Sequence, residues 1–441
     1  MYTYESTGSG VVFASSNWTD VFVPKMGIYF YGYDTGKIET LLPDGLFSIL
    51  TVGLYGDKVF FHGTDTNKHG VGQNKNLYLL KDGAAKLHCE IDSGVPKNPV
   101  AKADGIYYLS YNKMNLALFK ADSAGAKSVV CEIEGNIDDF DVAGDIIVCV
   151  ASGNTKLPEV CIVNGGKPEE VSAFNAGLIA NKAMSQFERF DAANDNVNIE
   201  GYLMKPFNFD PAKKYPALLY VHGGPKSVFG CPYNHEMAYY SSKGYFIFCC
   251  NPRGSDGYGD DFADIRGKYG TIDYDDLMKY TDAVMQKYPQ IDENRMGVFG
   301  KSYGGYMTDW ITGHTNRFKC AVSRATIANL FTKGLTTDIG FYHNLYQQAS
   351  SPWDNPDKLW WHSPLKYADK IKTPTLYIQG DVDYRTWTAE PLQMFTALKM
   401  HGFDSRVCLV HGENHFFNIK PLSLLTVFEE SSAWFEKYLG L

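Results

Sequence analysis

The fold is decided by the stretch VFGKSYGG, residues 298–305. It places the pattern Gly-x-Ser-x-Gly directly after an apolar, strand-like run and directly before a run of helical character. A nucleophile held on a sharp strand-to-helix turn needs neighbours without a Cβ, because the backbone is strained and the helix packs close to the strand. The pattern therefore predicts that Ser302 projects from one edge of a sheet as a nucleophile.

A serine hydroxyl is a weak nucleophile by itself, so a base and a carboxylate that orients the base are expected after it, in the order Ser, acid, His. Two later apolar runs end just before candidates for these roles. One run is followed by Asp381 and Asp383, the other by His411 and His415. Spacing alone leaves both pairs open. The residue farther from each strand end can turn back over the sheet, which favours Asp383 and His415.

The tetrahedral intermediate of acyl transfer needs at least two hydrogen-bond donors for its oxyanion. One predicted donor is the N–H of Tyr303, which follows the nucleophile. The other is predicted at Gly224 in the stretch HGGP, residues 222–225, where glycines let the backbone approach a substrate oxygen. His222 in the same stretch is interpreted as a packed structural residue.

Composition narrows the class of protein. The chain has 441 residues, of which 44% are hydrophobic, and a net charge of −9 from 50 acidic and 41 basic residues. This charge balance lacks the excess of basic residues that binding to nucleic acid or to an anionic membrane requires. The nine cysteines show no metal-site spacing, so we expect a reduced, cytoplasmic protein without a metal or cofactor. A signal peptide is not visible at the N-terminus, and no run reaches the roughly 20 apolar residues of a spanning helix.

The sequence is predicted to form two domains, residues 1–180 and 181–441. The first is strand-like throughout, with a degenerate repeat of about 40–47 residues that suits about four blades of a β-propeller. An ordinary β-sandwich is the alternative. The second alternates strands and helices, which predicts a mostly parallel, doubly wound sheet. The predicted strands are 217–221, 245–250, 295–299, 320–323, 375–379 and 406–410, and the predicted helices are 276–288, 389–400 and 422–439.

Several long motifs in this order resemble the prolyl oligopeptidase family of serine peptidases. They are HGGP at 222–225, NPRGSDGYG at 251–259 and GKSYGGYMTDW at 300–310, and the later GHTNRF at 313–318 and SPLKY at 363–367 look most like the acylaminoacyl-peptidase branch. The resemblance covers residues 185–441. It implies an α/β-hydrolase domain preceded by a propeller, and a triad of Ser302, Asp383 and His415. Asp383 and Arg385 match the Asp-x-Arg motif of the family, and His415 is the last residue of a Gly-x-x-His motif.

The resemblance implies a serine peptidase that acts on short peptides through an acyl-enzyme. A carboxylesterase of the same fold and a non-catalytic binding scaffold are the alternatives. Arg385 and Tyr258 are predicted to contact the substrate, with a loop anchor as the alternative role for Arg385. Members of this family usually carry about seven or eight blades. A propeller of about half that size leaves strand edges open, so we expect a homo-oligomer that covers the propeller edges.

Two acidic features are set aside. The pair Glu169-Glu170 resembles the acids with which dipeptidyl peptidases hold a free amine, but it follows a turn and is interpreted as a solvated pair. Asp273 and Asp276 belong to an acidic group that is interpreted as loop charges and a helix N-cap, not as a metal site.

Overall fold

The chain folds into two compact units. The computed structural model describes residues 3–16, 25–66, 75–94, 97–230 and 232–440. Unit 1 comprises Met1–Ala183, Gly230–Tyr233 and Asp256–Asp264, and unit 2 comprises Met184–Phe229, Asn234–Ser255 and Ile265–Leu441. Two short segments from the later part of the chain therefore belong to unit 1. The domain boundary drawn after residue 180 stays a prediction.

Unit 1 consists mostly of antiparallel strands. They are β1 (Thr3–Ser6), β2 (Gly10–Ser15), β3 (Met26–Gly32), β4 (Ile38–Tyr55), β5 (Lys58–Asp65), β6 (Asn76–Lys81), β7 (Ala84–Cys89), β8 (Val100–Lys102), β9 (Gly105–Asn112), β10 (Asn115–Ala121), β11 (Lys127–Cys131), β12 (Gly135–Ala143), β13 (Ile146–Gly153), β14 (Glu159–Asn164) and β15 (Lys167–Glu170). The short helices α1 (Ala176–Ile179) and α3 (Asp260–Ala263) also belong to this unit.

The strands of unit 1 follow one another as meanders. Strands β1 to β7 form one sheet in sequential order, and β8 to β15 form a second sheet in which β11 pairs with β10. The 18-residue strand β4 pairs with β3 along its first part and with β5 along its second. The result is four successive groups of four strands, β1–β4, β4–β7, β8–β11 and β12–β15. Glu169 and Glu170 lie exposed on β15, where Glu170 forms an ion pair with Lys156.

Unit 2 is a layered α/β structure. Its strands are β16 (Phe187–Asn194), β17 (Val197–Met204), β18 (Tyr215–Val221), β19 (Phe246–Cys250), β20 (Ile291–Lys301), β21 (Cys320–Arg324), β22 (Thr375–Gly380) and β23 (Ser405–Val410). Its helices are α2 (His235–Ser242), α4 (Ile272–Lys287), α5 (Tyr303–His314), α6 (Leu330–Thr336), α7 (Gly340–Gln347), α8 (Pro356–Trp361), α9 (Ala389–Met400), α10 (Pro421–Leu439) and a 3₁₀ helix at Pro364–Lys370.

The sheet of unit 2 has the order β16-β17-β19-β18-β20-β21-β22-β23. Strands β16 and β17 are antiparallel to each other, and β17 is antiparallel to β19, whereas all strands from β19 to β23 run parallel. The six predicted strands and three predicted helices are confirmed, with ends that shift by four residues at most. Parallel strands place their carboxyl ends at one edge, where sheets of this class hold their ligands.

Sequence patterns did not reveal two parts of unit 2. One is the antiparallel pair β16–β17, and the other is the helical segment α6–α8 between β21 and β22. Among the residues that the structure describes, eight cysteines are free thiols; Cys231 lies outside them. No helix within the described ranges is long and apolar enough to cross a membrane.

Candidate active site

Ser302 occupies the turn between β20 and α5. Its φ is 62° and its ψ is −121°, a conformation that a non-glycine residue rarely adopts. Two backbone hydrogen bonds hold it there, from Ser302 N to Arg324 O at 2.9 Å and from Tyr306 N to Ser302 O at 2.9 Å. The strained turn presents the hydroxyl at the carboxyl edge of the sheet, as the Gly-x-Ser-x-Gly pattern predicts.

The glycines around Ser302 are required by close backbone packing. A Cβ at Gly300 would lie 2.4 Å from the carbonyl oxygen of Gly304, and a Cβ at Gly304 would lie 2.2 Å from that of Val221. Real Cβ atoms essentially never approach so closely. The strand, the turn and the first turn of α5 can therefore pack together only without side chains at these positions.

Asp383 and His415 form a buried hydrogen-bonded pair. His415 Nδ1 donates to Asp383 Oδ2 at 2.7 Å, and Thr386 donates to the same carboxylate through its backbone N–H at 2.9 Å and its hydroxyl at 2.8 Å. The backbone N–H of Arg385 adds a further bond at 2.8 Å. Burial by itself raises the pKa of the Asp383 carboxyl, but the His415 bond and charge and the Thr386 bonds outweigh it, so the pKa lies below its usual value.

The second aspartate–histidine pair lies at the surface. His411 Nδ1 contacts Asp381 Oδ2 at 2.5 Å, and the His411 side chain is 93% exposed. Gly412 N also donates to Asp381 Oδ1 at 2.6 Å. The two alternatives that spacing left open thus form two separate pairs, and only His415 borders the cavity described next.

A cavity of about 430 Å³ lies at the carboxyl edge of the sheet in unit 2. It is lined by Gly223, Gly224, Ser227, Lys301, Ser302, Ile327, Lys333, Ile339, His343, Arg385, His415 and Phe416. Ser302 and His415 therefore share one space. Ser302 Oγ makes no hydrogen bond within the part of the chain that the structure describes. In free enzymes, contacts between a nucleophile and its base are often long and tighten when substrate binds.

The loop after β18 packs against the nucleophile turn. A Cβ at Gly223 would lie 3.1 Å from Lys301 O and 3.5 Å from Ser302 Cβ, and Gly224 has a φ of 119°. His222 is buried, with Nε2 2.9 Å from Ser255 Oγ and Nδ1 2.7 Å from Gly223 O. Burial lowers the pKa of His222 to about 4, so its ring is neutral and its role is structural.

The side chain of Tyr303 is held by a hydrogen bond to Asp273. The Tyr303 hydroxyl donates to Asp273 Oδ2 at 2.5 Å, and the same carboxylate accepts bonds from the N–H groups of Gly270, Thr271 and Tyr274. Burial raises the pKa of Asp273 to about 6. Asp273 thus lies in the first turn of α4, in agreement with the interpretation of a charge at a helix start, but spacing did not reveal that it is buried and bonded to Tyr303.

The interpretation as loop charge or N-cap is wrong for Asp276, because this residue lies inside α4. It is fully buried and binds the Arg253 guanidinium in a bidentate pair, with distances of 2.9 and 2.7 Å. No group of three or more His, Cys, Asp or Glu side chains within the described ranges is arranged to hold a metal ion.

The two predicted substrate contacts differ in their surroundings. Arg385 borders the cavity, and its guanidinium forms a bidentate pair with Asp338, at 2.9 and 3.0 Å. Tyr258 belongs to unit 1, where its ring lies 4.7 Å from that of Phe262. A substrate contact of Tyr258 stays a prediction.

Sequence reasoning missed one wall of the cavity. Ile327, Lys333, Ile339 and His343 come from the loop after β21 and from the segment of α6 and α7. Lys333 Nζ donates to the carbonyl oxygen of Arg385. The segment carries no motif, and its scattered polar residues, among them Lys333, Asp338 and His343, gave no spacing that indicates a site.

Parts of the chain are similar in sequence to known peptidases. Residues 232–441 match the sequence profile of the prolyl oligopeptidase family. The chain is 32% identical over 357 residues to the uncharacterized peptidase YuxL of Bacillus subtilis, covering 78% of this chain and 54% of that protein. It is 32% identical over 246 residues to dipeptidyl-peptidase 5 of Porphyromonas endodontalis, covering 54% of this chain and 35% of that protein. The chain thus spans about half or less of the length of these relatives.

Solved structures share the fold. The acylaminoacyl peptidase of Pyrococcus horikoshii has a TM-score of 0.90 at 25% identity, covering 99% of this chain and 70% of that one. A puromycin hydrolase has a TM-score of 0.82 at 19% identity, covering 98% and 68%. The predicted fold class, an α/β-hydrolase domain preceded by propeller-like strands, is confirmed.

Proposed function

Because residues 232–441 form a domain of the prolyl oligopeptidase family, we propose that the chain is a serine peptidase that hydrolyses short peptides. The observation that carries this proposal is the cavity at the sheet edge, where Ser302 on its strained turn and His415, bonded to buried Asp383, face one space. Acylaminoacyl-peptidase activity and a related dipeptidyl- or oligopeptidase activity are the specific forms proposed.

The proposed reaction uses groups of this chain alone. Ser302 Oγ attacks the scissile carbonyl carbon while His415 Nε2 takes its proton, and the bond to Asp383 fixes the imidazole orientation. The N–H groups of Tyr303 and Gly224 hold the oxyanion. The C–N bond then breaks as His415 returns the proton to the leaving amine, which gives the acyl-enzyme. Water, deprotonated by His415, attacks the ester and releases Ser302 and the carboxylate product.

Substrate comparison tests the proposal. Purified protein is assayed with N-acetylated and free-amine p-nitroanilides and with p-nitrophenyl esters, beside Ser302→Ala. We expect anilide hydrolysis that falls by several orders of magnitude in the variant, and labelling of Ser302 by a fluorophosphonate probe. Hydrolysis of esters without any anilide identifies a carboxylesterase instead. Failure of Ser302 to label identifies a non-catalytic scaffold.

Two finer points belong to the same proposal. A cytoplasmic location is supported by the eight free cysteines of the described residues, since oxidising compartments favour disulfides. A homo-oligomer through the edges of the strand-rich unit is supported by the terminal strands of its sheets, because such strands offer backbone donors and acceptors to another chain.

A further inference from the structure

Lys333 is a buried cation on the cavity wall. Its relative exposure is 2%, and within the described residues its ammonium group makes a single hydrogen bond, to the carbonyl oxygen of Arg385. An ammonium group carries three donors. Burial of a charge without further partners is costly, so a cation kept in this position points to an anionic or oxygen-rich ligand in the cavity.

The carboxylates near Lys333 are occupied by other donors. Glu390 accepts bonds from the N–H groups of Ala328 and Asn329, at 2.7 and 2.9 Å, and from the Thr332 hydroxyl at 2.6 Å. Asp338, for its part, holds the Arg385 guanidinium. No ion pair within 4 Å joins Lys333 to a carboxylate in the described part of the chain.

Lys333 shares one wall of the cavity with three neighbours, and we call this wall the Lys333 pocket (Ile327, Lys333, Ile339 and His343). Ile327 and Ile339 supply apolar surface, and His343 is buried. Burial, and then the charge of Lys333, lower the pKa of His343 to about 3, so its ring is neutral. Burial lowers the pKa of Lys333 to about 8, which still leaves its protonated form dominant at pH 7. The Lys333 pocket, with its apolar surface and one cation, is complementary to a side chain of methylene groups that ends in a carboxylate.

The position of the Lys333 pocket indicates on which side of the scissile bond the substrate residue that it binds lies. His415 must reach the leaving nitrogen, so the leaving part of the substrate lies beside His415 and its neighbour Phe416. The Phe416 ring lies 5.5 Å from that of His415, and Lys301 Nζ lies 4.9 Å from the Phe416 ring centre. The Lys333 pocket is built from other elements, the loop after β21 and the segment of α6 and α7. It therefore serves the acyl side.

We propose that the Lys333 pocket binds an acidic side chain, Glu or Asp, of the residue whose carbonyl carbon Ser302 attacks. This inference rests on the proposed function and names its substrate class: short peptides cut directly after an acidic residue. The ammonium group of Lys333 pairs with the substrate carboxylate, while Ile327 and Ile339 pack against its methylene groups.

The test compares isosteric substrates. The p-nitroanilides of Ala-Glu, Ala-Gln and Ala-Leu, each with an acetylated and a free amine, are hydrolysed at pH 7. We expect kcat/KM for Glu to exceed that for Gln by at least about tenfold, since a hydrogen bond between charged groups discriminates by that much or more. Lys333→Met should bring this ratio to about one and retain hydrolysis of the Leu substrate. Lys333→Arg should restore part of the preference.

Lys301→Met is the matched control, because Lys301 also borders the cavity but on the leaving side. Its Glu-to-Gln ratio should equal that of the wild type. Fluorophosphonate labelling of Ser302 checks that each variant is folded. If Lys333→Met does not fold, the rates of the wild type on the Glu, Gln and Leu anilides decide whether the acidic preference exists.

Distinct outcomes separate the two proposals. If the wild type cleaves Leu or Gln anilides as fast as the Glu anilide, the acidic specificity is wrong and the peptidase proposal stands. If a longer peptide is cut directly before Glu instead of after it, by mass spectrometry of the products, the assignment to the acyl side is wrong. If no anilide is cleaved at all, the peptidase proposal itself fails.

Discussion

At the scale of single residues, the site depends on groups whose positions leave them little freedom. Ser302 is held at a φ of 62° by two backbone bonds, and Asp383 is held by His415, Thr386 and Arg385. In the proposed reaction, such preorganisation fixes the reacting groups before the substrate arrives.

Gly304→Ala should destabilise the protein and abolish most activity. The new Cβ would lie 2.2 Å from the carbonyl oxygen of Val221, so the turn that carries Ser302 has to shift. Overpacking of this kind costs about 1–3 kcal/mol. The melting temperature and the rate of fluorophosphonate labelling measure the two effects. Gly177→Ala, where nothing lies within 4 Å of the new Cβ, is the control and should change neither.

Asp383→Asn should lower kcat by about 10³–10⁴-fold, because the amide no longer stabilises the imidazolium that forms during attack. Asp381→Asn is the matched control, since its partner His411 is 93% exposed and borders no part of the cavity. Steady-state kinetics on one anilide substrate compares them. Equal losses in both variants would contradict the assignment of His415 and Asp383 to the reaction.

The preference for Glu over Gln should decline as the pH rises through about 8. Lys333 is protonated in the folded protein below its pKa of about 8, which is lowered from 10.5, so its pairing with a carboxylate is present below this pH and lost above it. The other charged or titratable groups that act on Lys333 are Glu390, Arg385, Asp338, Asp383 and His343.

The ratio of kcat/KM values for the Glu and Gln anilides, measured from pH 6.5 to 9.5, checks this prediction. The ratio cancels the titration of groups that affect both substrates equally. A ratio that stays constant across this range would show that the charge of Lys333 does not select the substrate.

At the scale of secondary-structure elements, the sequence revealed those with a strong local signal. Strands β18, β19, β21 and β22 are short apolar runs that are mostly buried on both faces, and the Gly-x-Ser-x-Gly turn predicted the edge at which the strands end. These features predicted the parallel sheet, the nucleophile and the two loops that carry Asp383 and His415.

The segment of α6 and α7 could not be predicted in the same way. Helix α6 has seven residues and contains Gly334 and two threonines, all weak helix formers. Tertiary contacts stabilise it instead, such as the bond from Asn344 Nδ2 to Leu330 O at 2.8 Å. The Lys333 pocket depends on this segment, so its residues had no local signature.

Asn344→Ala should therefore loosen the attachment of α7 to α6. Loss of the bond to Leu330 O leaves a buried carbonyl without this partner, at a cost of about 1–3 kcal/mol. We expect a lower melting temperature and a higher KM for the Glu anilide, with a smaller change in fluorophosphonate labelling of Ser302. The control is Asn164→Ala on β14, an exposed side chain in unit 1.

At the scale of the whole molecule, the terminal strands of the strand-rich unit are where we expect copies of the chain to associate. The first sheet ends in β1 and β7, and the side chain of Leu87 on β7 is 50% exposed. Terminal strands of a sheet offer backbone donors and acceptors to another chain. The repeat in the sequence predicts the number of strand groups. No sequence pattern indicates which chain pairs with their terminal strands.

The protein should be a dimer or a larger assembly in solution. Light scattering or sedimentation is expected to give at least twice the chain mass of 49.3 kDa. Proline in place of Leu87 should shift the population toward single chains, because it removes a backbone donor from the terminal strand. A single species of one chain mass with full peptidase activity would contradict this expectation.

Two short segments from the later part of the chain belong to unit 1. A single break in the chain therefore cannot separate the two units. Within unit 1, Lys113 N donates to Gly257 O at 2.9 Å, Gly94 N donates to Asp256 Oδ2 at 2.8 Å, and Gly259 N donates to Asp92 O at 3.3 Å. A fragment that starts at Met184 would leave residues 256–259 without these hydrogen-bond partners. Chimeras that exchange the amino-terminal half for a longer homologue must therefore transplant residues 230–233 and 256–264 with it.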